Sequence, residues 1–324
     1  MVDAVTYSVV VPLYNEELVI TESYKRIKKV MEHTDENYEI IFINDGSKDK
    51  TEHLVRFICQ NDPRIKLINF SRNFGHQAAI TAGMNNARGE AVIVIDADLQ
   101  DPPEVMLEMI KKWKEGYQVV YAKRTEREGE TWLKKFTAKI FYRALKSMTT
   151  VDIPVDTGDF RLLDRRVCDA LKSLPEKNRY VRGLVSWLGF KQTYVEFVRK
   201  ERFAGETKYT MKKMMKLALD GVTSFSYKPL ILIGYLGGLL FSAGLISVFW
   251  LLIKDIINGS NVLSLGFILG VINILFGILF GALAVMGQYI GRILDESKGR
   301  PNYIIENTVC YKENKNYEDD RKSS

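Results

Sequence analysis

Cysteine is scarce in this chain of 324 residues. Its three cysteines, Cys59, Cys168 and Cys310, lie far apart and form no Cys-x-x-Cys pair. That excludes a disulfide framework and points to a reducing compartment. Histidine is equally scarce: His33, His53 and His76 have no zinc-ligand spacing, so a structural zinc site is set aside. A strong charge excess is missing too. Lys and Arg exceed Asp and Glu by +6, too little to argue for a nucleic-acid partner. No signal peptide is expected, because Met1 to Tyr7 lacks a basic start and Val9–Leu13 is too short for a signal core. The soluble part is therefore expected in the cytoplasm. Internal repeats are absent.

The last third lacks charge. Residues 229–253 carry none, and neither do residues 256–291. Each run supplies the roughly 20 apolar residues that span a bilayer. Two such runs in succession are expected to be transmembrane helices, joined by the polar turn Lys254, Asp255 and Asn258–Asn261. Lys228 precedes them, and Arg292, Lys298 and Arg300 follow. Positive charge on the outer flanks puts both termini on the cytoplasmic side of a plasma membrane, a multi-pass arrangement. Glycines along the spans would permit close helix packing or a homo-oligomer. Two basic amphipathic segments, Trp132–Lys146 and Tyr209–Ala218, have the pattern of helices lying among membrane lipid headgroups. Either one also fits an ordinary surface helix.

What is present before residue 130 is an alternation. Residues 7–13, 38–44, 65–70 and 91–95 read as strands; residues 18–31, 51–60 and 76–87 read as helices. This order predicts an α/β fold with a mostly parallel sheet and helices on both faces. Polar residues follow each strand: Asn15 and Glu16, Asp45, Arg72 and Asn73, Asp96 and Asp98. They would share the sheet edge where open α/β sheets bind ligands. Asp96, Asp98 and the amide of Gln100 form an all-oxygen set suited to Mg²⁺ or Mn²⁺ and, with it, a diphosphate. The same aspartates also fit a plain turn.

Four segments carry a resemblance: Val9–Glu17 (VVVPLYNEE), Asn44–Asp49 (NDGSKD), Asp96–Glu104 (DADLQDPPE) and Thr157–Arg161 (TGDFR). Together with Ser71–Gln77 and Arg202–Tyr209 they resemble the GT-A fold, family 2 glycosyltransferases. The match is nearest the branch that uses polyprenyl phosphate, and it covers residues 7 to about 300. The resemblance implies a Rossmann-like GT-A domain over 1–208, including an interface helix near 132–147. It further implies a juxtamembrane helix over 209–228, two transmembrane helices over 229–291 and a polar cytoplasmic tail over 292–324. Pro12, Tyr14, Glu16 and Asp45 would hold the nucleotide. Asp96, Asp98 and Gln100 would form the metal and diphosphate site, with Asp98 the direct ligand and Asp96 open to the ribose as well.

The implied reaction is inverting transfer of a sugar from a nucleotide diphosphate to undecaprenyl phosphate at the cytoplasmic membrane face. UDP-glucose and UDP-N-acetylglucosamine are the favoured donors and GDP-mannose the alternative. The acceptor phosphate is mostly dianionic at neutral pH, so a strong general base is not required. Asp159 is left three roles: base, orienting group for the sugar, or anchor for nearby arginines. Bringing two phosphate groups together requires cations, and Arg124, Arg127, Arg202 and Lys208 are the candidates. A processive polysaccharide synthase is disfavoured by the lack of a Gln-x-x-Arg-Trp motif, and a transporter by the uncharged spans. A catalytically silent membrane adaptor is the alternative from a different class.

Overall fold

The computed structural model describes residues 4–125, 157–177, 179–198 and 265–310, with isolated helical positions between 233 and 257. Arg127, Arg202, Lys208, both amphipathic segments, most of the first expected span and the tail beyond 310 lie outside these residues.

The first half of the chain alternates as its periodicity predicts. β1 (Tyr7–Leu13), α1 (Ile20–Glu32), β2 (Tyr38–Asn44), α2 (Thr51–Asn61), β3 (Ile65–Phe70), α3 (His76–Asn86), β4 (Ala91–Val94) and α4 (Val105–Lys114) follow in order. Every residue of β1 and β2 is buried, because helices cover both faces of the sheet. The two-residue repeat of a strand divides that core. Tyr7, Val9, Val11 and Leu13 pack with α1, α2 and α4 on one face. Val10, Ile41 and Ile43 pack with α3 on the other.

β5 (Val119–Arg124), β6 (Thr157–Asp164), α5 (Arg165–Ser173), α6 (Val181–Trp187), β7 (Gln192–Phe197), α7 (Leu265–Ser297) and β8 (Ile305–Val309) complete the described elements. The sheet order is β7-β5-β6-β4-β1-β2-β3-β8. It is mostly parallel, with two strands against the rest: β6 runs antiparallel to both β4 and β5, and β8 antiparallel to β3. This departure matters for the site. The chain steps from β1 outward to β3, then β4 returns on the other side of β1. A crevice opens at such a reversal, outside the carboxyl ends of the strands. Because β6 is antiparallel, its first residues reach that same edge. Val94 pairs with Arg161, so two residues further along, Asp96 comes opposite Asp159.

The polar stretch after residue 302 contributes structure. β8 closes the sheet beside β3, Tyr303 stacks on Phe70 with centroids 5.1 Å apart, and Asn307 accepts hydrogen bonds from Asn69 (2.8 Å) and Arg56 (3.0 Å). Just before it, α7 runs for 33 residues, about 50 Å at helical rise. Among the described residues α7 is the single helix long and apolar enough to cross a membrane. Its segment Ile274–Ser297 has mean hydropathy 1.9 and an apolar stretch that is not buried in the protein. α7 overlaps the second expected apolar run, 256–291, while a pair of spans goes beyond the described residues. The C-terminal end of α7 meets the segment after α5: Glu296 Oε1 accepts from the Lys177 N–H at 2.8 Å.

α3 lies unusually close to the sheet. A Cβ on Gly83 would sit 2.1 Å from Cγ1 of Val10 in β1. Gly83→Ala is therefore expected to push α3 off the sheet and cost about 1–3 kcal/mol, the usual penalty of overpacking. Thermal unfolding of the full chain measures it. Adding Val10→Ala should restore part of the loss, and a double variant no better than the single one would refute the contact.

Candidate active site

The loops after β1 and β2 are laced together by side chains. The Asn15 N–H donates to Ser47 Oγ (2.9 Å), the Lys48 N–H to Asn15 Oδ1 (2.8 Å) and the Glu16 N–H to Thr51 Oγ1 (2.8 Å). Asn15 takes a left-handed φ of 53°, a conformation asparagine tolerates better than most residues. Pro12 is buried in β1 beside Ile43, and Tyr14 and Glu16 are half-buried at the strand end. Asp45 behaves differently from a plain ligand contact. Its Oδ1 accepts from the Phe74 N–H (2.6 Å) and its Oδ2 from the Gly75 N–H (2.9 Å). Burial raises its pKa, and those two N–H groups oppose the rise. Asp45 therefore anchors the turn that starts α3, and so places His76.

At the end of β4 the chain turns sharply. Leu99 is buried yet has a φ of 58°. A left-handed leucine costs roughly 1–2 kcal/mol, and such strain gathers at functional sites. The turn brings Asp98 Oδ1 to the Gln100 N–H at 3.1 Å. Asp98 is 8 % exposed, while Asp96 and Gln100 are half-buried.

Asp159 sits opposite, held from several elements. Arg182 of α6 donates through Nε to Oδ1 (2.9 Å) and through Nη2 to Oδ2 (3.2 Å). Arg161 of β6, fully buried, donates to Oδ1 at 3.2 Å and to the Gly158 carbonyl at 3.0 Å. His76 Nε2 lies 3.1 Å from Oδ2, and Gln77 Nε2 donates to the same oxygen at 3.4 Å. Burial alone would favour the neutral acid. Arg182 and His76 outweigh it and hold Asp159 well below the usual carboxylate range. His76 also lies 3.6 Å from Asp96 Oδ1. Burial disfavours its proton, but Asp96 and Asp159 raise its pKa to about 9. Asp96 goes the other way. Burial, reinforced by Asp159, Asp101 and Asp98 against His76, lifts it to about 6. A second pair flanks the cluster: Arg124 Nη2 lies 3.4 Å from buried Asp101. That guanidinium packs over Gly158, where a Cβ would come within 2.6 Å of Arg124 Nη2 and make it shift.

No group of three or more metal-binding His, Cys, Asp or Glu side chains occurs among the described residues. The donors at the end of β4 still fit a hard divalent cation. Mg²⁺ and Mn²⁺ sites at phosphates take one or two carboxylates and complete their shell with phosphate oxygens and water. Burial is the main cause that lifts Asp96, and Asp159, Asp101 and Asp98 add to it a negative field that such a cation would relieve.

Of the residues expected from sequence, the described part gathers Pro12, Tyr14, Glu16, Asp45, Asp96, Asp98, Gln100, Arg124 and Asp159 along one sheet edge. His76, Gln77, Arg161 and Arg182 had been given no role. Arg161 closes the Thr157–Arg161 motif and His76–Gln77 close Ser71–Gln77, so their motifs were visible; Arg182 had no local signal.

The family model described as glycosyl transferase family 2 matches residues 8–172. The chain belongs to this family of glycosyltransferases. It is 57 % identical over 320 residues to the uncharacterized glycosyltransferase YkcC of Bacillus subtilis (strain 168), covering 98 % of this chain and 99 % of that protein. It is 42 % identical over 300 residues to a bactoprenol glucosyl transferase of Shigella phage SfV, covering 93 % and 98 %. Among solved structures, glucosyl-3-phosphoglycerate synthase of Mycobacterium tuberculosis, in complex with Mn²⁺, UDP and its product, matches with a TM-score of 0.46 and 21 % identity over 67 % of this chain and 77 % of that one.

His76 makes stability depend on pH. It holds a proton more tightly folded than unfolded, where its pKa is about 6.5. The stabilisation is complete below about pH 6.5 and is lost as pH rises through about 9. In EDTA, the unfolding midpoint of the native chain should fall across that window, and His76→Gln should flatten the fall. Parallel profiles for the two proteins would show that the histidine carries no such proton.

Proposed function

We propose that this chain transfers a sugar, with inversion, from a nucleotide diphosphate donor to undecaprenyl phosphate at the cytoplasmic face of the plasma membrane. UDP-glucose and UDP-N-acetylglucosamine are the favoured donors. The reading rests on one conjunction. A carboxylate and cation cluster stands at the sheet reversal, in a chain that matches proteins named bactoprenol glucosyl transferase over nearly their whole length. The name of those relatives favours glucose. The apolar helix α7 supports attachment to the membrane that carries the acceptor. A second span before it, with both termini cytoplasmic, completes the proposed topology.

Pro12, Tyr14 and Glu16 would contact the nucleotide directly. Asp45 would act there chiefly by fixing the loop from Asn73 to Gly75. Asp96, Asp98 and Gln100 would hold Mg²⁺ or Mn²⁺, which supplies charge neutralisation for the departing nucleoside diphosphate. Asp159 is a poor base. Its proton affinity is depressed and both oxygens already accept from cations. The acceptor phosphate has little proton to lose, so Asp159 serves better as a fixed anion that orders Arg182 and His76 at the crevice, with Arg161 buried behind it. Arg124 would add positive charge on the diphosphate side, with Arg127, Arg202 and Lys208 contributing from beyond the described residues.

Transfer of radiolabelled sugar from a panel of UDP- and GDP-sugars to undecaprenyl phosphate tests this. The native chain with Mg²⁺ or Mn²⁺ should yield labelled lipid. Asp98→Asn, or EDTA, should lower the rate roughly 100-fold or more, the scale of losing a group that stabilises developing charge. Absence of product from every donor, with folded protein, would favour a silent adaptor.

A further inference from the structure

The carboxylates Asp96, Asp98, Asp101 and Asp159 crowd one edge of the sheet. A dianionic acceptor approaching that edge is repelled unless a cation meets it first. The cations touching this cluster include His76, Arg124, Arg161 and Arg182. Arg161 is 1 % exposed and cannot be reached. Arg124 is packed over Gly158 and paired with Asp101. His76 is wedged between Asp96 and Asp159. Arg182 is 26 % exposed, much like His76 at 29 %, but its ion pair is with Asp159 where His76 meets both Asp96 and Asp159.

Arg182 also has a distinct place in the chain. The segment that leads to it is fastened to the end of the apolar helix, through Glu296 and the Lys177 N–H (2.8 Å). Arg179 folds the same segment by donating to the Leu174 (2.6 Å) and Glu176 (3.1 Å) carbonyls. Gln77 ties it to the site, accepting from the Val181 N–H at 3.2 Å and donating to Asp159. Contacts at Lys177 and Val181 thus precede Arg182 in the chain, one reaching the end of α7 and the other reaching Gln77 beside Asp159.

We propose that Arg182 is the specificity-determining residue that receives the phosphate of the lipid acceptor, bridging it to Asp159. This rests on the acceptor class proposed above. A guanidinium suits the task, because its planar fork can hold a carboxylate on one side and a phosphate oxygen on another. An ammonium at the same place offers charge without the fork.

Two measurements on the full-length protein in mixed micelles decide it. In the transfer assay, Arg182→Gln should raise the KM for undecaprenyl phosphate at least tenfold while the KM for the nucleotide sugar changes less than threefold. Arg182→Lys should fall between, and guards against simple misfolding. A fall in kcat with an unchanged acceptor KM would overturn the proposal and leave Arg182 as a brace for Asp159. Direct binding of a short-chain isoprenyl monophosphate, with the corresponding alcohol as control, keeps the two readings separate. Phosphate-dependent binding lost in Arg182→Gln supports the proposal even if the native chain transfers no sugar. Equal binding by both proteins overturns it even if transfer proceeds.

Discussion

Asp159 is buried and ionised, and everything near it is arranged around that charge. Its partners come from three places: His76 from the start of α3, Arg161 from β6 itself and Arg182 from α6. A buried ion cluster is a poor source of stability, since apolar packing of similar volume often does as well. Removing one member is a different matter, because it strands the others without compensation. The cluster therefore constrains the fold more than it stabilises it. α3, β6 and α6 must converge on one point, and each is held by separate packing: Gly83 against Val10, the β4–β6 register, and Val181, Leu184 and Val185 in the core.

The sheet order makes convergence at that point possible. Parallel strands β1 to β4 send their following loops to one edge. A fifth parallel neighbour would have placed its own carboxyl end there and its first residues at the opposite edge. Antiparallel β6 delivers its first residues instead, so Asp159 faces Asp96 across the crevice. Their proton affinities diverge: burial lifts Asp96 to about 6, while Arg182 and His76 outweigh burial and hold Asp159 well below the ordinary range. Their difference follows from partners: Asp159 has two arginines, and Asp96 has the histidine they share.

Strand and helix positions before residue 100 were legible because their signals are local. Fully buried strands read as β-branched runs, and helices such as α1 carry an apolar stripe. Polar residues at strand ends were legible for the same reason. What each does was not. Asp45 sits at a strand end like Asp96, yet its carboxylate turns to the Phe74 and Gly75 N–H groups. Only the neighbouring loop decides that. The two antiparallel strands were hidden because strand direction depends on pairing partners far apart in sequence, as β8 with β3 shows. Arg182 was hidden for a similar reason. It lies in a short helix with no motif, and gains meaning only from Asp159, met through the fold.

β8 adds a mechanical consequence. After the apolar helix the chain does not trail away but returns to pair with β3, and Asn307 joins Asn69 and Arg56. Asn69 in turn accepts from Asn44, at the end of β2, one of the strands whose loops frame the crevice. The end of α7 is thus tied twice, through Glu296 to the segment that carries Arg182 and through β8 to the sheet itself. Two attachments on different elements resist rotation where one would act as a swivel. For the proposed reaction, in which the acceptor headgroup stays at a membrane surface, that restraint has chemical value. Effective molarity depends on holding reacting groups within a narrow distance and angle, and a helix end held at both points keeps a fixed direction relative to the carboxylate edge.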